Sequence, residues 1–124
     1  MASRAGRRVV AALAAAALAA LLIVPAASAH EGIVSTKPSG QAKVGLGSVS
    51  VTFSGPIRSA TLKVFDADGG KVSKGSGARD PRNVSRARAA LKSGLGPGRY
   101  TARVKWVGAD GHEQSSSFQF RLVR

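Results

Sequence analysis

Tyr100-Thr101-Ala102-Arg103-Val104-Lys105-Trp106 carries an apolar side chain at every second position, with Thr, Arg and Lys between. A period of two is the signature of a strand with one face in a core and the other in water. The pattern resumes beyond a short polar stretch, where Phe118, Phe120 and Leu122 alternate with Ser117, Gln119 and Arg121. Upstream, Val49, Val51 and Phe53 alternate with Ser48, Ser50 and Thr52, and Ala60, Leu62 and Val64 with Thr61 and Lys63. A shorter strand is expected over 33–36 and a weaker one within 84–91.

Gly, Pro and Asp punctuate these runs at Lys37-Pro38-Ser39-Gly40, at Ser54-Gly55-Pro56, over 66–70 and over 94–98. No segment has a convincing amphipathic helical period, and 74–82, rich in Gly, Ser and Arg, reads as a mobile surface loop. Regularly spaced half-buried strands with such turns predict an all-β domain. The expected form is a single antiparallel Greek-key sandwich or barrel of about seven strands, immunoglobulin-like or cupredoxin-like. Phe53, Phe118 and Phe120 are expected in its core, together with Tyr100 and Trp106.

The domain is expected to span residues 30–124. Residues 1–29 read as a secretory signal peptide: a basic head (Arg4, Arg7, Arg8), an apolar run over 9–24, Pro25, and Ala27-Ser28-Ala29 as the cleavage site. The apolar run falls short of the roughly 20 residues of a membrane span. An exported location is therefore expected, in the periplasm or on the outer side of the envelope. The chain has 19 Lys and Arg against 6 Asp and Glu. Removing the three leader arginines leaves 16 cations and a formal charge of +10. That balance suits anionic partners such as envelope polymers or lipid headgroups, and export argues against nucleic acid. The scatter of the cations and their alternation with apolar residues is that of a solvated strand face. There is no cysteine, so the domain must hold by packing alone.

Cleavage after Ala29 would make His30 the first residue, with a free α-amine beside its imidazole. The second of the chain's two histidines is His112, in Gly108-Ala109-Asp110-Gly111-His112 between the last two strands. Asp110 and His112 are two apart, so in an extended segment their side chains share a face. One amine, two imidazoles and one carboxylate form a nitrogen-rich set suited to a tetragonal ion, Cu(II) above all. The expected metal ligands are His30, Asp110 and His112, holding one Cu(II) per chain. Glu31 and Glu113 flank the histidines as candidates for a further oxygen. The first strand starts three residues after His30 and the last leaves the loop holding His112. If those strands were parallel neighbours, the two ends would meet. The only methionine is Met1, so no thioether site for Cu(I) is available.

The mature chain resembles the CopC-type copper-resistance proteins. The likeness rests on an amino-terminal His followed by Ile33-Val34-Ser35-Thr36 and Pro38-x-Gly40, then Val51-Thr52-Phe53-Ser54-x-Pro56 and Asp66-x-Asp68-Gly69. It continues in Pro97-Gly98-x-Tyr100, Val104-x-Trp106-x-x-x-Asp110-Gly111-His112 and Phe118-x-Phe120. The resemblance implies an exported Cu(II)-binding β-barrel without enzymatic activity. It would hold copper through the His30 amine and imidazole, Asp110 and His112. Its role would be copper homeostasis, resistance or delivery to a CopD-like membrane transporter. Two alternatives differ in class. A copper-dependent oxidative enzyme of the polysaccharide-monooxygenase kind would need an open coordination position and an exposed aromatic platform. A metal-free cationic envelope-binding domain would need neither histidine.

Overall fold

The computed structural model describes residues 31–124; the expected signal peptide and His30 lie outside them. The described residues form eight strands and no helix. They are β1 (Ile33–Lys37), β2 (Gln41–Lys43), β3 (Ser48–Phe53), β4 (Ile57–Phe65), β5 (Ala78–Asp80), β6 (Asn83–Ala90), β7 (Gly98–Gly108) and β8 (Glu113–Val123). Two four-stranded sheets pack face to face, ordered β1-β3-β6-β5 and β2-β8-β7-β4. All neighbours are antiparallel except β2 and β8, which run parallel.

The sandwich follows from the alternations. In β3 every second residue is buried (Val49, Val51, Phe53), as in β7 (Tyr100, Ala102, Val104, Trp106). From β4 come Leu62 and Val64, and from β8 Phe120 and Leu122. Removing such side chains from water supplies roughly 1.5–3 kcal/mol each. Phe53 and Trp106 meet across the two sheets with ring centroids 4.8 Å apart. Tyr100 stacks on its cross-strand neighbour Phe120 and donates its hydroxyl to Gly96 O at 2.7 Å. Phe118 is only partly buried at the margin, and Ile57 takes a core position instead.

Three expectations need correction. The stretch 74–82 is not simply a loop, because β5 forms within it and pairs with β6. Asp80 anchors that strand: its carboxylate accepts Arg82 N at 2.9 Å and takes two contacts from Arg86, at 3.0 Å from Nε and 2.9 Å from Nη2. The Arg82 backbone N–H, helped by Arg86, holds the Asp80 carboxyl below its ordinary value against the opposing pull of burial. The short β2 was not anticipated. Finally, β1 is no neighbour of the last strand; it pairs with β3, while β2 lies beside β8. The chain changes sheets at the turn between β1 and β2.

Candidate metal centre

One end of the sandwich gathers the start of β1, the β3–β4 turn and the tip of the β7–β8 hairpin. The four-residue hairpin loop (109–112) is closed by Gly111 N to Gly108 O at 3.0 Å and Gly108 N to His112 O at 3.1 Å. Gly111 has φ +84°, a left-handed conformation that glycine adopts without a Cβ penalty. The segment is a turn and not extended, which corrects the geometry expected from the sequence. Asp110 and His112 still come together, by another route. Asp110 Oδ1 accepts the His112 backbone N–H at 3.0 Å, and its Oδ2 lies 2.9 Å from His112 Nδ1. The His112 side chain remains 71% exposed.

That oxygen–nitrogen separation bears on the donor set. Nitrogen and oxygen donors sit about 2.0–2.1 Å from a divalent first-row ion, so two of them at right angles are about 2.9 Å apart. The pair therefore has the spacing of adjacent ligands in a tetragonal plane. Without an ion, the same contact is a hydrogen bond that orients the ring. Among the described residues no group of three or more His, Asp and Glu clusters as a metal site; the third expected ligand, His30, falls outside them.

Glu31 and Gly32, the first of the described residues, are nonetheless fixed at this end. Trp106 Nε1 donates to Glu31 O at 3.3 Å. Ser54 N donates to Gly32 O at 2.8 Å, and Gly32 N to Ser54 Oγ at 3.0 Å. The Glu31 carboxylate lies over Gly108, where Oε2 occupies the place a Cβ would take and Asp110 Oδ1 stands 3.1 Å from the same point. Gly55 likewise leaves room for Glu31 Cγ, 3.1 Å from where its Cβ would be. Glu31 Oε2 and Gln114 Nε2 are the buried side-chain atoms without a hydrogen-bond partner among the described residues. Gln114 sits directly opposite Trp106, on the same hairpin. Orphaned buried polar atoms are rare and ask for a water, an ion or another polar group. Glu113, the other flanking carboxylate, instead continues the outward ladder with Val107.

Arg58 is a member of this end that sequence reasoning missed. Its Nη2 donates to Ala109 O at 2.8 Å, and Nη1 lies 3.4 Å from where a Gly111 Cβ would stand. It braces the loop from 51 residues away, a contact with no local sequence signal.

A two-sheet Greek-key sandwich with an aspartate and a histidine joined on a hairpin tip is a small binding scaffold. A model of the CopC domain matches residues 33–123, and the chain belongs to the CopC family of copper-resistance proteins, which are not enzymes. Among curated proteins, nothing matches the chain. Solved structures do. CopC from Methylosinus trichosporium OB3b has a TM-score of 0.63 at 20% identity, covering 75% of this chain and 93% of that one. PcoC, a methionine-rich copper resistance protein from Escherichia coli, has a TM-score of 0.61 at 18% identity, covering 77% of this chain and 100% of that one. At such identities the likeness is one of fold.

Proposed function

We propose that the chain is an exported, non-catalytic Cu(II) carrier. It holds one ion through the His30 α-amine and imidazole, Asp110 and His112, for resistance, homeostasis or delivery to a membrane transporter. The observation that carries the reading is the anchoring of Glu31 against the hairpin that bears Asp110 and His112. His30 is bonded to Glu31, and consecutive Cα atoms are about 3.8 Å apart. His30 is therefore one residue from a carboxylate that lies beside Asp110. Family membership supports copper as the cargo. The exposed imidazole and the orphaned carboxylate oxygen suit a cation. The sequence has Met only at position 1, so the methionine-rich character of the Escherichia coli relative has no counterpart here, and nitrogen and oxygen donors favour Cu(II) over Cu(I).

The test is a chelator-competition titration of two proteins, one starting at His30 and one starting Met-His30. A preceding residue turns the amine into a planar amide of low basicity. The His30-first form should bind one Cu(II) orders of magnitude more tightly, with both forms melting alike before metal is added. Equal affinities would remove the terminal amine from the ligand set and overturn the reading.

A further inference from the structure

We propose that the outward face of the β2-β8-β7-β4 sheet is a docking surface for an anionic lipid bilayer. The register sets its cations side by side. Lys63, Arg103 and Ser117 form one row across three strands; Thr61, Lys105 and Ser115 form the next; Arg99, Arg121 and Gln41 form another. Lys63 is thus directly opposite Arg103, and Arg99 directly opposite Arg121. Like charges in such positions weaken a sheet. None of Lys63, Arg99, Arg103, Lys105 and Arg121 has an acidic ion-pair partner among the described residues. Glu113, at the hairpin end, is the acidic residue on the face.

The opposite face of the sandwich differs. There Arg86 is neutralised by Asp80, and Arg88 shares a row with Lys37. A face that retains mutually repelling cations without counter-charges is electrostatically complementary to a surface of fixed negative charge.

The shape selects a planar surface over a linear polymer. β7 and β8 are eleven residues each, about 36 Å at 3.3 Å per residue. The five cations spread over three adjacent strands. The two hollows on the face, one beside Lys105 and one beside Arg99 and Arg121, share no lining residue and so form no single track for a linear chain. The side chains between them, Thr61, Ser115 and Ser117, are short, and all five cations are exposed, with the Arg103 guanidinium lying over the Phe65 ring 5.0 Å from its centroid. Of the exposed large apolar residues, Val34 and Val84 belong to the other sheet and Val44 sits just past β2 at the edge of this one, so none lies among the five cations. Contact is therefore with headgroups rather than by insertion, and it weakens as salt rises. The loop 109–112 closes one end of this sheet. A molecule lying flat on the bilayer holds that loop at headgroup height.

The protein purified after export, its amino terminus verified by mass spectrometry, is sedimented with two kinds of vesicle. One is phosphatidylcholine alone, the other phosphatidylcholine and phosphatidylglycerol in equal parts. Binding is expected to the mixed vesicles only and to be lost in high salt. Replacing Lys63→Gln, Lys105→Gln and Arg121→Gln together should lower the partition constant on the order of a hundredfold, at about 1 kcal/mol per cation. Lys37→Gln, Arg82→Gln and Arg88→Gln remove the same charge from the other sheet and should lower it only a few-fold. The first triple relieves both like-charge pairs and should melt no lower than the parent; if it failed to fold, Lys105→Gln alone, expected to lose several-fold, would take its place. Equal losses in the two triples, equal binding to uncharged vesicles, or face-dependent binding to soluble polyglutamate without vesicle binding would each overturn the proposal.

Discussion

Asp110 shapes the hairpin turn and, in the proposed function, also ligates copper; substitution by Asn and by Ala tells the two contributions apart. As a turn residue, it accepts the His112 backbone N–H at 3.0 Å and meets His112 Nδ1 at 2.9 Å. Each such bond is worth about 0.5–1.5 kcal/mol net, and an exposed loop puts both at the low end, so Asp110→Ala should cost about 1 kcal/mol. For a domain of this size that is a drop in Tm of about 4–8 °C. Asn keeps an oxygen for the His112 N–H and should lose less than about half of that. As an anionic copper donor, neither replacement serves. Removing a group that merely orients a ligand costs about 10–100-fold in metal affinity, so loss of a ligand should reach at least the upper end. The two variants should then bind Cu(II) alike, both at least a hundredfold more weakly than the parent, while their metal-free melts differ. Chelator competition and calorimetry on the same preparations measure both. If Asp110→Asn kept the parent affinity, the carboxylate charge would not be engaged by the ion, and the donor set would be wrong.

Trp106→Phe preserves the ring packed on Phe53 but deletes the donor to Glu31 O; it should loosen the start of the chain and lower copper affinity about tenfold, with a stability loss near 1 kcal/mol, by the same two assays. Gly77 has φ +63° and an added Cβ would meet Leu62 O at 2.8 Å and Arg88 O at 2.9 Å. Gly77→Ala should therefore destabilise by about 3 kcal/mol or more, lowering Tm beyond 10 °C without touching the metal end. Asp80 supplies a pH signature. Its carboxyl is depressed in the folded state, so its stabilisation is present above the unfolded value near pH 4 and is lost as pH falls through the folded value. The Tm gap between the parent and Asp80→Asn should be largest above about pH 5 and shrink towards pH 2; a constant gap would refute the assignment.

The long alternations of β3, β4, β7 and β8 were legible because each strand has one face in the core and one in water, and length makes a period of two visible. Gln41-Ala42-Lys43 and Ala78-Arg79-Asp80 were not, since three residues carry no period. Each is a strand only because β8 or β6 offers an open edge. β6 read weakly because its buried residues are Ala87 and Ala89, small side chains that fit against larger partners from the facing sheet. At the hairpin tip, residue types were enough to nominate Asp110 and His112, whose side chains the structure brings into contact. The turn that joins them depends on the backbone of Gly111, and the bracing by Arg58 and Trp106 spans 51 and 75 residues. The expected adjacency of the first and last strands does not occur: β1 lies in the other sheet, and it is Glu31 and Gly32 that reach the hairpin end, held by Trp106 and Ser54.

The bond between Trp106 and Glu31 also imposes an order of events. A chain synthesised from its amino terminus delivers residue 31 long before residue 106 follows. Until the last hairpin emerges, Glu31 and Gly32 have only the β3–β4 turn to hold them. Early contacts are local, and closing long stretches of chain is slow. The tip that carries Asp110 and His112 is therefore completed after nearly the whole polypeptide has been made. A partly made chain keeps Glu31 and the last hairpin apart, and only the finished sandwich joins them through Trp106.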